Sequence, residues 1–253
     1  MTESKIDGPR LSYQDDDFLS SDEARPLRII SEYLAPLRQF RAQNIKDTIV
    51  FFGSARLTAE GPLGRYYTDA RELARIITLW SKSQAASGHR YVICSGGGGG
   101  IMEAANRGAS DAGGRTVGLN ISLPHEQHPN PYITRELSFE FHYFFMRKLW
   151  FAHLARGLVA FPGGFGTLDE LTELLTLSQT GKLDRRLPII LYGEAYWREI
   201  INFDALVRHG VIGPEDLSLF QFADDPPTAL RLLQTGIGVQ GTAATPDFAH
   251  SKC

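Results

Sequence analysis

Apolar residues along the chain keep two different rhythms. The runs Ile49-Val50-Phe51-Phe52, Tyr91-Val92-Ile93-Cys94, Leu158-Val159-Ala160-Phe161 and Ile189-Ile190-Leu191-Tyr192 are continuous, with no polar alternation. A strand that turns neither face to water reads this way. Between them, apolar residues recur every three to four positions, as at Ala70, Leu73, Ala74, Ile77 and Trp80. That spacing lines one side of a helix. Residues 116–123 give a further strand, and helices are expected over 101–112, from 168 to about 179, and over 196–208. Residues 137–156 run from a short strand into a helix carrying Met146-Arg147-Lys148. The alternation of the two rhythms predicts an α/β fold, a parallel sheet with helices on both faces.

Three segments follow. Residues 1–47 read as an arm: the first 20 or so lack hydrophobic periodicity and are expected to be mobile. Ser20 or Ser21 then caps a helix through Ile29, Ile30, Tyr33, Leu34, Leu37 and Phe40, with Pro26 and Pro36 limiting its regularity. Residues 48–210 hold the single α/β domain, broken by a loop over 124–134 rich in proline and histidine. Residues 211–253 are read as a helical extension with a loose polar tail.

Composition removes several classes. Lys+Arg 26 against Asp+Glu 29 gives a net charge of −3, with 43% hydrophobic residues, an ordinary globular balance without the basic stripe of a nucleic-acid binder. No apolar stretch approaches the ~18 residues of a membrane span, and the polar start MTESKIDGPR has no signal core, so a cytoplasmic protein is expected. Two cysteines supply neither a disulfide framework nor a zinc site, and His125, His128, His142 and His153 lack the H-x-x-x-H spacing of a zinc enzyme. No metal is expected. Glycine is the departure: eight of the 25 glycines fall in two clusters, residues 96–100 and Gly163, Gly164 and Gly166.

Both clusters follow a predicted strand and precede a predicted helix. There, unpaired N–H groups and the positive end of the helix dipole attract an anion, and glycine lets the backbone approach it. Phosphate is the natural guest, with Gly98, Gly99 and the Ser54 hydroxyl as donors. The first cluster does not fit G-x-G-x-x-G, since Ile101 and Met102 stand where the third glycine would fall. The only Gly-Lys pair, Gly181-Lys182, precedes Leu183 and is no Walker motif. A mononucleotide or sugar phosphate fits better than a dinucleotide or ATP. Thr167 and Glu170 have capping-box spacing, so Glu170 is either a cap or a carboxylate beside the phosphate. Arg147 and Lys148, cations in an apolar helix, are either paired at its edge or bind phosphate.

Residues 96–102, Met146-Arg147-Lys148 and Pro162-Gly163-Gly164-Phe165-Gly166-Thr167-Leu168-Asp169-Glu170 together resemble the LONELY GUY (LOG) family, long labelled as possible lysine decarboxylases. The match covers roughly residues 48–210. The resemblance implies an α/β, Rossmann-like doubly wound parallel sheet in a single domain with an N-terminal helical arm, assembled as a homodimer. It implies hydrolysis of the N-glycosidic bond of a nucleoside 5′-monophosphate, such as AMP or a cytokinin riboside monophosphate, to free base and ribose 5-phosphate, without a cofactor. Arg147 and Glu170 take the catalytic roles; Glu126, Lys148, Gly163, Gly164, Phe165, Gly166, Thr167 and Thr176 line the nucleotide site. The related molybdenum-cofactor carriers, which share the glycine turns, supply the alternative of a carrier without turnover.

Overall fold

The computed structural model describes residues 10–84, 90–123, 128–183 and 185–238. The strands β1 (Asp47–Phe52), β2 (Tyr91–Ser95), β3 (Thr116–Ile121), β4 (Ser138–Phe141), β5 (Ala155–Ala160), β6 (Ile189–Tyr192) and β7 (Phe220–Ala223) form one 7-stranded sheet in the order β4-β3-β2-β1-β5-β6-β7. Every pairing is parallel. The helices are α1 (Asp16–Ser20), α2 (Arg25–Ala42), α3 (Gly64–Ser83), α4 (Ile101–Asp111), α5 (Phe144–Leu154), α6 (Phe165–Gln179), α7 (Glu194–Ile200), α8 (Phe203–Arg208) and α9 (Pro226–Gly238).

Strand β1 shows why the apolar runs are unbroken. Ile49 and Phe51 enter a core shared with α3, α4 and α9, while Val50 and Phe52 enter the opposite core with α2, α5 and α6. Both faces are dry, so the four positions 49–52 are all apolar. The chain builds outward from β1 to β4 and then returns to lay β5 on the other side of β1. At such a reversal the loops leaving the two neighbouring strands part, and the crevice beyond their carboxyl ends receives a ligand. The loops concerned start at Gly53 and Phe161.

Some boundaries differ from expectation. Residues 12–20 form a short 3-10 turn and α1, whose N-cap is Asp15, and α2 begins at Arg25 with no serine cap. Pro26 lies in its first turn, where a missing N–H costs nothing. Pro36 is interior and leaves the Glu32 carbonyl without its helical donor; the Trp150 indole N–H fills that role at 3.1 Å. The helix expected over 196–208 is two helices, α7 and α8, because the Asn202 side chain accepts the Ala205 N–H at 2.9 Å and starts a new one. The sheet also continues past residue 210: β7 pairs with β6, and Ala229, Leu233 and Ile237 of α9 complete the α3 core.

Candidate active site

The two glycine turns meet through Ser54. Its N–H donates to the Pro162 carbonyl at 3.0 Å, and its carbonyl accepts the Ile101 N–H at 3.0 Å. The loop after β1 thus bridges the start of α4 and the turn entering α6, while the Ser54 hydroxyl accepts the Arg56 N–H at 3.1 Å. Gly100 caps α4 with φ +62°, and a Cβ there would collide with the Ser54–Ala55 backbone. Gly163 packs against Thr167 and Ser54, whereas Gly164 and Gly166 face open space.

A buried amide orients the first turn. The Asn130 Nδ2 lies 3.0 Å from the carbonyl oxygens of both Gly97 and Gly98 and 2.9 Å from Asn106 Oδ1. Ser95 Oγ in turn donates to Asn106 Oδ1 at 2.7 Å and accepts the Gly97 N–H at 3.1 Å. In a trans peptide the C=O and the following N–H point in opposite directions. Holding the carbonyls of Gly97 and Gly98 toward Asn130 therefore aims the N–H groups of Gly98 and Gly99 away from it. Asn130 and Asn106 carry no motif; a polar side chain between Pro129 and Pro131, and another on a helix otherwise rich in alanine, were the only signals.

Arg147 and Glu170 come together. Arg147, on α5, donates from Nε to the Leu119 carbonyl at 2.7 Å and sets Nη1 3.6 Å from Glu170 Oε1. Both side chains are nearly buried, at 11% and 14% exposure. Gly96 makes this possible, since a Cβ there would overlap the Arg147 guanidinium. The capping reading of Glu170 does not survive. Helix α6 starts at Phe165 with Gly164 as N-cap, so Thr167 already lies inside it and Glu170, a turn later, turns to Arg147 with 14% of its side chain exposed.

Lys148 turns the other way. Its Nζ is 2.7 Å from Asp169 and 3.0 Å from Glu173, so it ties α5 to α6. With Thr176, Phe144 and Phe145 it lines a cleft of about 530 Å³ between the two helices, apart from the glycine turns. Phe165 stands at the mouth of the second turn, 92% exposed. Glu126 lies outside the described residues.

The family described as possible lysine decarboxylase matches residues 102–233, just over half of the chain and the segment that carries Arg147, the second glycine turn and Glu170. The chain belongs to this family, that of the LOG proteins. It is 28% identical over 145 residues to the probable cytokinin riboside 5′-monophosphate phosphoribohydrolase LOG4 of Oryza sativa subsp. japonica, covering 56% of this chain and 61% of that one. It is 28% identical over 154 residues to the cytokinin riboside 5′-monophosphate phosphoribohydrolase LOG3 of Arabidopsis thaliana, covering 56% and 65%. The alignments thus span less than two thirds of these relatives. Among solved structures, TM1055 superposes with a TM-score of 0.54 at 21% identity, covering 75% of this chain and 99% of that one. The molybdenum cofactor binding protein of Rippkaea orientalis superposes with a TM-score of 0.52 at 19% identity, covering 75% and 96%. These two share the fold.

In this LOG-family chain the electrostatics separate the two carboxyl-bearing neighbourhoods. Burial pushes the Glu170 carboxyl up to about 7, with Arg147 opposing and Asp169 adding to the rise. Burial also pulls the Arg147 guanidinium down, offset in part by Glu170. Arginine titrates so far above neutrality that it remains a cation. For Lys148 burial opposes the charge, but the bonds to Asp169 and Glu173 outweigh it and raise its pKa. Cys94, wholly buried beneath the pair, has its thiol pushed up by burial, which leaves it inert as a nucleophile.

Proposed function

We propose that the chain hydrolyses the N-glycosidic bond of a purine nucleoside 5′-monophosphate, AMP or an N6-modified AMP, releasing the free base and ribose 5-phosphate. The observation that carries this reading is the Arg147–Glu170 pair, nearly buried and 3.6 Å apart, with the guanidinium against Gly96 of the first glycine turn. The names of the LOG relatives support the reaction class.

The chemistry follows from the charges. When the C1′–N bond breaks, its electron pair leaves with the base and the ribose ring becomes an oxocarbenium-like cation. A carboxylate beside that carbon stabilises the cation more than the neutral substrate and takes a proton from the water whose oxygen bonds C1′, while the departing base takes up a proton from solvent on the nitrogen that keeps the electron pair. Glu170, with a pKa near 7, is ionised in a large fraction at neutral pH and still basic enough for the task. Arg147 and the N–H groups of Gly98, Gly99 and residues 163–167 take the 5′-phosphate, the Ser54 hydroxyl adding a donor. Phe165 offers an apolar face to the base. Lys148 and Thr176 serve the nucleotide only where the cleft between α5 and α6 joins the site, at the small void that Lys148, Glu170 and Glu173 line together. No cofactor enters the scheme.

The half-exposed Phe144 and Phe145 on that cleft support assembly as a homodimer through this face. A carrier of a phosphate-bearing ligand is the second reading, favoured by the fold shared with the molybdenum cofactor binding protein. Purified protein incubated with AMP, GMP, CMP, UMP and an N6-prenylated AMP separates the two. Release of base and ribose 5-phosphate from the adenine nucleotides supports hydrolysis; tight binding without release supports the carrier.

A further inference from the structure

Helix α5 delivers Arg147 to the site, yet it has no cap of its own. Its N-cap residue is Tyr143, no side chain of the helix closes its first turn, and Phe144, Phe145 and Met146 bring no acidic group to the positive end of its dipole. The missing carboxylate comes from α2. Glu32 Oε1 accepts the His142 N–H at 2.7 Å and Oε2 accepts the Tyr143 N–H at 3.2 Å. In a capping box this bond to the N-cap N–H comes from the third residue of the same helix, here Met146, which cannot make it. Glu32 holds α5 a second time through its carbonyl, which Pro36 has freed for the Trp150 indole N–H. One residue of the arm therefore grips α5 at its start and again nearly two turns on. The Tyr33 ring stacked 5.5 Å from Trp150 and the Arg25 guanidinium 5.7 Å over the Tyr143 ring close the contact on either side.

The grip is one hydrogen bond from the catalytic group. Tyr143, whose N–H Glu32 holds, accepts the Arg147 backbone N–H at 3.2 Å. We infer that the N-terminal arm is a positioning element for catalysis: Glu32 caps α5 from outside and thereby sets Arg147 against Leu119, Gly96 and Glu170. The inference rests on the proposed role of Arg147 in nucleotide hydrolysis.

The test compares Glu32→Ala, Glu32→Gln and Arg28→Ala, each also combined with Arg147→Ala, by AMP turnover and by amide hydrogen exchange. Arg28 ties α1 to α2 through the Leu19 and Ser21 carbonyls and, among the described residues, makes no hydrogen bond or ion pair to α5, so its variant keeps wild-type kcat. Glu32→Ala lowers kcat about tenfold to a hundredfold, the cost of misplacing a substrate-positioning group by roughly 1 Å. Glu32→Gln, which keeps an acceptor oxygen, recovers part of the loss. Exchange rises at residues 142–147 and not in β1 or β5. In the Arg147→Ala background Glu32→Ala costs nothing further, because its effect passes through the missing side chain. A Glu32→Ala kcat within about twofold of wild type, or the same fractional loss with and without Arg147, overturns the inference. Should the wild type turn over no nucleotide, the hydrolase reading falls, and exchange at residues 142–147 decides the anchoring alone: faster in Glu32→Ala upholds it, unchanged refutes it.

Discussion

An ordinary glutamate loses its proton near pH 4.5; buried on α6, Glu170 keeps it to about 7, so between those values the folded chain holds a proton that the unfolded chain releases. Stability from this source is complete below pH 4.5 and is lost as the pH rises through about 7. Glu170→Gln, a permanent mimic of the protonated form, should therefore be more stable than wild type at pH 8 by roughly 1–3 kcal/mol and show no advantage at pH 4. Urea unfolding at the two pH values measures this. The same ionisation predicts that wild-type kcat/KM for AMP rises with pH through about 7, and a profile flat from pH 6 to 8 would speak against a carboxylate base. Asn130 acts on binding instead. Asn130→Ala leaves the Gly98 carbonyl without its amide partner and frees the turn, so KM for AMP should rise about tenfold with a smaller change in kcat. Steady-state kinetics separates the two parameters.

At the scale of elements, strands β1, β2, β5 and β6 were legible because each is buried on both faces, which their continuous apolar runs reflect. The glycine turns were legible because their composition is unusual and their place after a strand is informative. Element starts were harder. Thr167 and Glu170 have capping-box spacing, but Gly164 supplies the cap and Glu170 turns to Arg147. Strand β7 is not legible in the sequence because Phe220-Gln221-Phe222-Ala223 is a short edge strand with an exposed Gln221, too brief for periodicity to register. The contacts that orient the site, Asn130 with the first turn and Glu32 with α5, join residues far apart in the chain, and no local spacing encodes them. The structure also shows that the unit extends past residue 210. A chain stopped at residue 210 lacks β7 and α9, and so uncovers the β6 edge and the α3 face that Ala229, Leu233 and Ile237 bury. It should fail to fold, with no cooperative melt followed by circular dichroism, whereas an intact chain melts cooperatively.

For the whole molecule, the sheet reversal between β1 and β5 gathers three loops at one edge, and the helices on one face bring Arg147 and Glu170 to it. The molybdenum cofactor binding protein shares the fold, so the fold alone does not decide between turnover and carriage. The homodimer proposal belongs at this scale too. Phe145→Asp places a charge on the half-exposed aromatic face of α5 and should convert a dimer to a monomer in light scattering; an unchanged mass would put the interface elsewhere. Catalysis by the buried pair is the central claim, and the most direct measurement is AMP hydrolysis under single-turnover conditions by wild type and Glu170→Gln at equal occupancy. The account predicts adenine and ribose 5-phosphate from wild type and a rate lower by about a hundredfold or more in Glu170→Gln, with AMP still bound. Equal rates from the two proteins, or AMP bound by wild type and recovered intact, would contradict it.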